Sequence, residues 1–222
     1  MDATNERTGE RGGGDLSTPS GRKGRGRPRS FDRDAALKAA TLEFWERGYE
    51  AVSIADLTRV MHIKAPSLYA AFGDKKTLFE EAVEAYVRDF GGFIGRALEE
   101  EPTARRGVAR LLREAAGWHT LPGHPRGCMV ITAAVNCTAQ SADVLQGLME
   151  RRNEGTERIE RRIRADVASG ELPAGTDTHA LAVYSQAVLQ GMSQQARDGA
   201  GRATLEAVAE IAMGAWPQED RL

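Results

Sequence analysis

Apolar residues along this chain recur at steps of three and four, and no stretch alternates residue by residue as a half-buried strand would. In a first predicted helix, from 32 to 47, Leu37, Ala40, Thr41, Phe44 and Trp45 gather on one side, with Leu42 off that face. Gly48 ends it. Ser53 then opens a short helix with Ile54, Leu57 and Val60 at i, i+3 and i+6, and Asp56 completes an approximate capping box. Met61, His62 and Ile63 supply a turn. The next helix starts with Pro66 in its first turn, where a missing N–H costs nothing. Leu68 and Phe72 point inward at i, i+4, which leaves Ala65, Pro66, Ser67, Tyr69 and Ala70 facing outward.

Asp74 caps a fourth helix, whose Phe79, Val83, Tyr86 and Phe90 repeat at helical spacing. Gly91 and Gly92 weaken it, marking a hinge or close packing. Phe93, Ile94, Ala97 and Leu98 then continue as far as Pro102. Val108, Leu111, Leu112 and Ala115 form the next stripe, followed by a loop from Trp118 to Gly127. The segment from 128 to 139 is apolar almost all round and is expected as a buried helix. Leu145, Leu148, Arg152, Ile159, Ile163 and Val167 make a long amphipathic helix closed by Gly170. Two last helices run over 178–197 and 202–215. The fold class is all-α, with about nine helices.

At 222 residues the chain can bury a substantial core. The net charge of −2 hides an asymmetry: from Ser20 to Ser30 the only charges are Arg22, Lys23, Arg25, Arg27 and Arg29. Residues 1–30, rich in Gly, Arg, Ser, Thr and Pro, are expected to be a disordered basic arm. Arg25-Gly26-Arg27-Pro28 resembles the core of an AT-hook, which lays arginines in a narrow A·T minor groove. Its bland alternative is a solvated tail. Two cysteines, Cys128 and Cys137, make neither a disulfide scaffold nor a zinc site. No apolar run is long enough to span a membrane and the opening residues lack a signal core, so a cytoplasmic protein is expected.

Two short helices at a sharp turn, the second with a face of small residues and one tyrosine, suit a helix that lies in the major groove. Trp45-Glu46-Arg47-Gly48-Tyr49, then Ser53-Ile54-Ala55-Asp56-Leu57, then the run from Ser67 through Leu68-Tyr69 and Phe72-Gly73 to Lys75, closely resemble the amino-terminal domain of TetR-family transcriptional regulators. The resemblance covers about 31–80. The family turn commonly carries Gly where this chain has His62, and its recognition helix commonly starts from Ser or Asn where this chain has Lys64. Lys64 thus loses a cap and gains a cation. The candidate DNA-binding residues are Arg25, Arg27 and Arg29 of the arm, with Ser53, Lys64, Ala65, Pro66, Ser67, Tyr69 and Lys75. By resemblance Lys75 is the family's backbone-contacting lysine.

The resemblance further implies a ligand-binding and dimerisation domain over 81–216, followed by a tail at 217–222. Tyr86, Phe90, Phe93, Trp118, Cys128, Met129, Thr132, Asn136 and Tyr184 are its candidate pocket residues. It implies a homodimer through the last two helices, by Leu181, Tyr184, Val188, Gly191, Met192, Leu205, Val208 and Ala212. The function expected is a repressor that binds a palindromic double-stranded DNA operator and is released by a small-molecule effector. The alternative is a small-molecule or cysteine-based sensor acting through protein partners, with Arg126 and a helix start lowering the Cys128 thiol pKa. No phosphate loop, nucleophile elbow or HExxH motif occurs, and His119, His124 and Cys128 match no common zinc spacing. The chain is therefore read as neither an enzyme nor a cofactor protein.

Overall fold

A computed structural model of the chain describes residues 31–217. Among these the regular elements are ten α-helices and one 3-10 turn. They are α1 (Arg33–Arg47), α2 (Ile54–Val60), α3 (Ala65–Phe72), α4 (Lys75–Phe90) and α5 (Gly92–Glu100). Then follow α6 (Ala104–Trp118), α7 (Met129–Thr132), α8 (Ala142–Ser169), α9 (Thr178–Arg197) and α10 (Arg202–Met213), with the 3-10 turn at Ala139–Ser141. The arm residues Arg25, Arg27 and Arg29 lie outside the described residues, as does 218–222.

Capping chemistry sets most boundaries. Asp32 accepts the N–H groups of Asp34 and Ala35, Asp74 accepts that of Thr77, and Asp177 that of Ala180. Gly48 and Gly170 close their helices at φ 80 and 84, where a side chain would be strained. At Gly91 the chain stays in a right-handed turn (φ −87), and a Cβ there would meet the Val87 carbonyl at 2.7 Å. The break between α4 and α5 therefore needs glycine for close approach.

One prediction fails here. The segment 128–139 forms only the four-residue α7 before it unwinds. Its carbonyls are engaged elsewhere: Val130 O accepts from Arg152 Nη1 at 2.9 Å, and Ala133 O accepts the Tyr49 N–H at 2.7 Å. Tertiary hydrogen bonds here outweigh the helical ladder that an apolar run suggests.

Two clusters hold the chain. The first joins Phe44, Tyr49, Val52, Leu57, Leu68, Phe72, Leu78 and Phe79 to Met129, Ala133, Val144 and Leu148. The second packs Phe93, Leu98, Val108, Leu111, Leu112, Ile159, Ile163, Leu189, Met192, Leu205 and Trp216. The first cluster matters most for function, because residues from α7 and α8 complete the core under the helix-turn-helix. Buried Asp166 on α8 accepts the Ala104 N–H at 2.5 Å and pairs with Arg162, which ties the start of α6 to α8.

Candidate nucleic-acid interface and buried cavity

The turn between α2 and α3 is held from both sides. Ser53 Oγ accepts the Asp56 N–H at 3.1 Å, and Asp56 Oδ2 accepts the Ser53 N–H at 3.0 Å, a reciprocal box. Asp56 is held well below the usual carboxylate range by the Ser53 hydroxyl and N–H, with Arg59 and Arg47 adding to it. His62 takes φ 53, the left-handed geometry that lets α3 turn sharply away, and it is the non-glycine residue in that region among those described.

On α3, Leu68 and Phe72 are buried, at 0% and 2% exposure. Lys64, Pro66, Tyr69 and Ala70 are exposed, while Ala65 and Ser67 are half-buried. Tyr69, half exposed, is the largest ring the helix offers to solvent. Arg33 fixes the rear of this unit. It bonds Glu81 at 2.6 and 2.8 Å, and its guanidinium lies 4.3 Å over the Phe72 ring. The orientation of α3 is thus set by a small core and one arginine staple.

Two predicted contact residues have partners within the chain. Ser53 gives its hydroxyl proton to Asp56 Oδ2 at 2.6 Å, so in this structure that proton is engaged in the cap. Lys75 is half-buried, its ammonium 4.2 Å from the centre of the Tyr49 ring, and burial lowers its pKa. Lys76 instead reaches back to Asp143 at 2.5 Å.

Behind this unit lies a cavity of about 170 Å³. That is near the size, about 150 Å³, of an apolar cavity that admits a benzene ring. Of the candidate pocket residues, Tyr86, Phe90, Phe93, Trp118 and Cys128 line it, joined by Trp45, His119, Arg151, Arg152, Arg158, Glu154 and Gln186. The rings interlock: Trp45 packs edge-on against Tyr86 at 4.8 Å and Phe90 at 5.3 Å, and Phe93 stacks on Trp118 at 6.2 Å. Trp45 belongs to α1, so the helix-turn-helix contributes directly to the cavity wall. Sequence periodicity marked Trp45 as core and could not reveal this second face.

The other expected pocket residues lie elsewhere. Met129 is buried in the first cluster, Thr132 bonds the Cys128 carbonyl, and Asn136 is exposed on the unwound segment. Tyr184 faces solvent and donates to the Ala212 carbonyl at 3.1 Å. Nor is Cys128 an activated thiol. Burial pushes its pKa up, with the hydrogen bond from Tyr86 only partly opposing, and Arg126 is spent on the Ala200 carbonyl. The helix that follows Cys128 has one turn, too short to favour a thiolate.

His119 is buried and its Nδ1 has no partner. Desolvation, with His124 nearby, lowers its pKa to about 4. Unfolded histidine titrates near ~6.5, so between these values the unfolded chain binds more protons. Stability is therefore full above that range and lost as pH falls through it. We expect urea titrations at pH 7 and pH 5 to differ by about 2 kcal/mol more in the wild type than in His119→Gln.

On α9 and α10, Val183, Tyr184, Val208 and Ile211 are exposed, Ile211 at 78%. Gly191 is open and Leu181 and Val188 are half-buried. Met192, Leu205 and Ala212 are buried within the chain, which corrects their assignment to a dimer surface: their side chains complete the second cluster. Val183 and Ile211 are the apolar positions that periodicity missed on this face. No helix among the described residues is long and apolar enough to cross a membrane.

Comparison with known proteins agrees with this architecture. Residues 36–82 match the family described as bacterial regulatory proteins, tetR family, and residues 103–211 match the tetracyclin repressor-like C-terminal domain. The transcriptional repressor ComR of Escherichia coli K12 is 34% identical over 203 residues, 91% of this chain and 97% of that protein. A solved structure of the TetR-family regulator CifR, a cysteine mutant complexed with 26 bp operator DNA, is 46% identical. It covers 86% of this chain and all of that one, with a TM-score of 0.83. A TetR regulator from Rhodococcus sp. RHA1 is 37% identical, covering 84% of this chain and all of that one, with a TM-score of 0.56. A helix-turn-helix with an outward α3, an all-helical body and two family matches over most of its length make this chain a member of the TetR family of DNA-binding transcriptional regulators.

Proposed function

We propose that the protein is a ligand-responsive repressor that binds a palindromic operator as a homodimer in the cytoplasm, without a catalytic role. The observation that carries this reading is the division of α3: Leu68 and Phe72 lock it to its own core, while Lys64, Pro66 and Tyr69 face away. Such a helix enters the major groove with its outward residues against base edges and phosphates. Its Pro66 and Ala70 keep that face narrow, and Lys64 supplies a cation for a base edge or a nearby phosphate.

We assign 31–80 to DNA binding and 81–216 to effector binding and dimerisation. The exposed apolar face of α9 and α10 supports pairing with a second copy, which would set two α3 helices about 34–36 Å apart, one turn of DNA. Arg25, Arg27 and Arg29 would add minor-groove or phosphate contacts from the arm. Effector binding would release the operator only through a difference in affinity between the DNA-binding and released conformations. The wall shared between Trp45 and the cavity supplies a physical route for that difference.

Fluorescence anisotropy on DNA flanking the protein's own coding region tests the reading; absence of any sequence-selective binding would overturn it. Two substitutions sharpen it. Lys75→Ala should weaken binding to all sequences and reduce the slope of log affinity against log salt by about 1. An unchanged slope assigns Lys75 wholly to its stacking on Tyr49. Replacing Lys64 by Ala should change the order of preferred operators, whereas a uniform loss would make it a phosphate contact.

A further inference from the structure

The lining of the cavity also specifies the chemistry of its occupant. Its inner wall is aromatic and apolar, built from Trp45, Tyr86, Phe90, Phe93 and Trp118. The titratable groups deep within carry no charge at neutral pH: His119 is depressed to about 4 and the Cys128 thiol is raised. The charged groups come from α8. Arg151 is already paired with Glu84. Arg152 is half-buried, and its partner among the described residues is a neutral carbonyl, Val130 O at 2.9 Å from Nη1. A guanidinium has five N–H donors, so most of this fork is unspent. Burial lowers the pKa of Arg152, which marks a cation held without a counter-charge. Arg158, on the same side, forms no ion pair among the described residues, and Glu154 is the one unpaired carboxylate in the lining.

We propose that the cavity takes a small aromatic monocarboxylate, its ring among Trp45, Phe90 and Trp118 and its carboxylate on the free edge of Arg152, with Arg158 contributing. This rests on the cavity being the effector site. A volume of about 170 Å³ suits one ring with a small substituent. A cationic ligand would meet unpaired arginines. A neutral ring would leave Arg152 uncompensated, whereas a carboxylate accepts two parallel N–H bonds.

Tryptophan fluorescence of the full-length protein tests this, since Trp45 and Trp118 both line the cavity. The probes are benzoate, benzamide of the same shape without the charge, and acetate, which has the charge without the ring. Benzoate should bind at least about tenfold more tightly than benzamide, and acetate should not bind at millimolar concentration. Arg152→Gln, which removes the charge, should erase the benzoate preference through a loss on benzoate far larger than that on benzamide. Arg158→Gln should reduce it. Equal affinities for benzoate and benzamide, or no benzoate binding by protein that still binds its operator, would overturn the proposal. If Arg152→Gln does not fold, the benzoate-to-benzamide ratio in wild type and Arg158→Gln decides alone. Benzoate that binds selectively yet leaves the operator bound would uphold the ligand class and overturn release by this cavity's occupant.

Discussion

Leu68→Ala should lose about 2–5 kcal/mol of stability, while Tyr69→Ala, one residue on, should change stability by less than about 0.5 kcal/mol. Leu68 is fully buried in the core that includes Phe44, Leu57, Phe72 and Phe79, and truncating it leaves a cavity that cannot collapse around fixed aromatic rings. Tyr69 is half exposed and has no ring partner among the described residues. Operator binding should invert the pattern of causes. Leu68→Ala loses affinity because α3 is no longer held in place, and lowering the temperature should restore part of it. Tyr69→Ala should lose about 1–3 kcal/mol of operator affinity at every temperature, with an unchanged melting curve. Chemical denaturation and anisotropy on the same preparations check both. A Tyr69→Ala protein with full operator affinity would remove Tyr69 from the interface, and a stable Leu68→Ala protein would mean that the helix is held by something other than this core.

Much of this contrast is legible in the sequence, because local chemistry decides it. Ser53 and Asp56 form their box within four residues, Leu68 and Phe72 share a face by helical spacing, and Gly48 ends α1 through its own backbone freedom. Thr178–Arg197 could likewise be read directly, since its apolar period lies within the segment itself and its cap, Asp177, stands immediately before it. What failed depended on partners far away in sequence. The unwinding after α7 is set by Tyr49 and Arg152, residues about eighty positions before and twenty after. Trp45 has two faces, one toward the helix-turn-helix and one toward the cavity, and periodicity reports only that it is buried. Arg152 falls on the stripe with Leu148 and Ile159 by spacing, and only the packing of α8 shows that it lines the cavity with Arg151, Glu154 and Arg158. Met192, Leu205 and Ala212 were apolar and correctly placed on helices. Only the packing of α10 on α6 and α9 shows that those side chains turn inward and that Val183 and Ile211 remain outside.

Gly127→Ala tests how firmly the cavity wall is held. Gly127 has φ +79, which costs roughly 1–2 kcal/mol with a side chain. A Cβ there would stand 2.8 Å from the Ser193 carbonyl oxygen and 3.0 Å from both Ser193 Oγ and Arg197 Cγ. The carbonyl belongs to the interior of α9 and cannot swing aside, so overpacking adds about 1–3 kcal/mol. Together these predict a loss of about 2–5 kcal/mol. The same residue closes the 119–127 loop through its N–H to the His119 carbonyl at 3.0 Å, and Cys128 N–H donates to Ser193 Oγ at 2.9 Å. Arg197, the other neighbour of that Cβ, donates to the Trp45 and Glu46 carbonyls at the end of α1. Displacing it disturbs the helix that carries the cavity wall into the DNA-binding unit. The variant should therefore melt earlier and bind operator more weakly. Lowering the temperature should recover part of both together, because one contact joins them. Gly123→Ala is the control: it shares a positive φ but has no atom within 4 Å, so it should cost only the backbone strain. Equal losses in the two variants would show that the approach of Gly127 to α9 contributes nothing, and would detach the loop from the route between cavity and DNA.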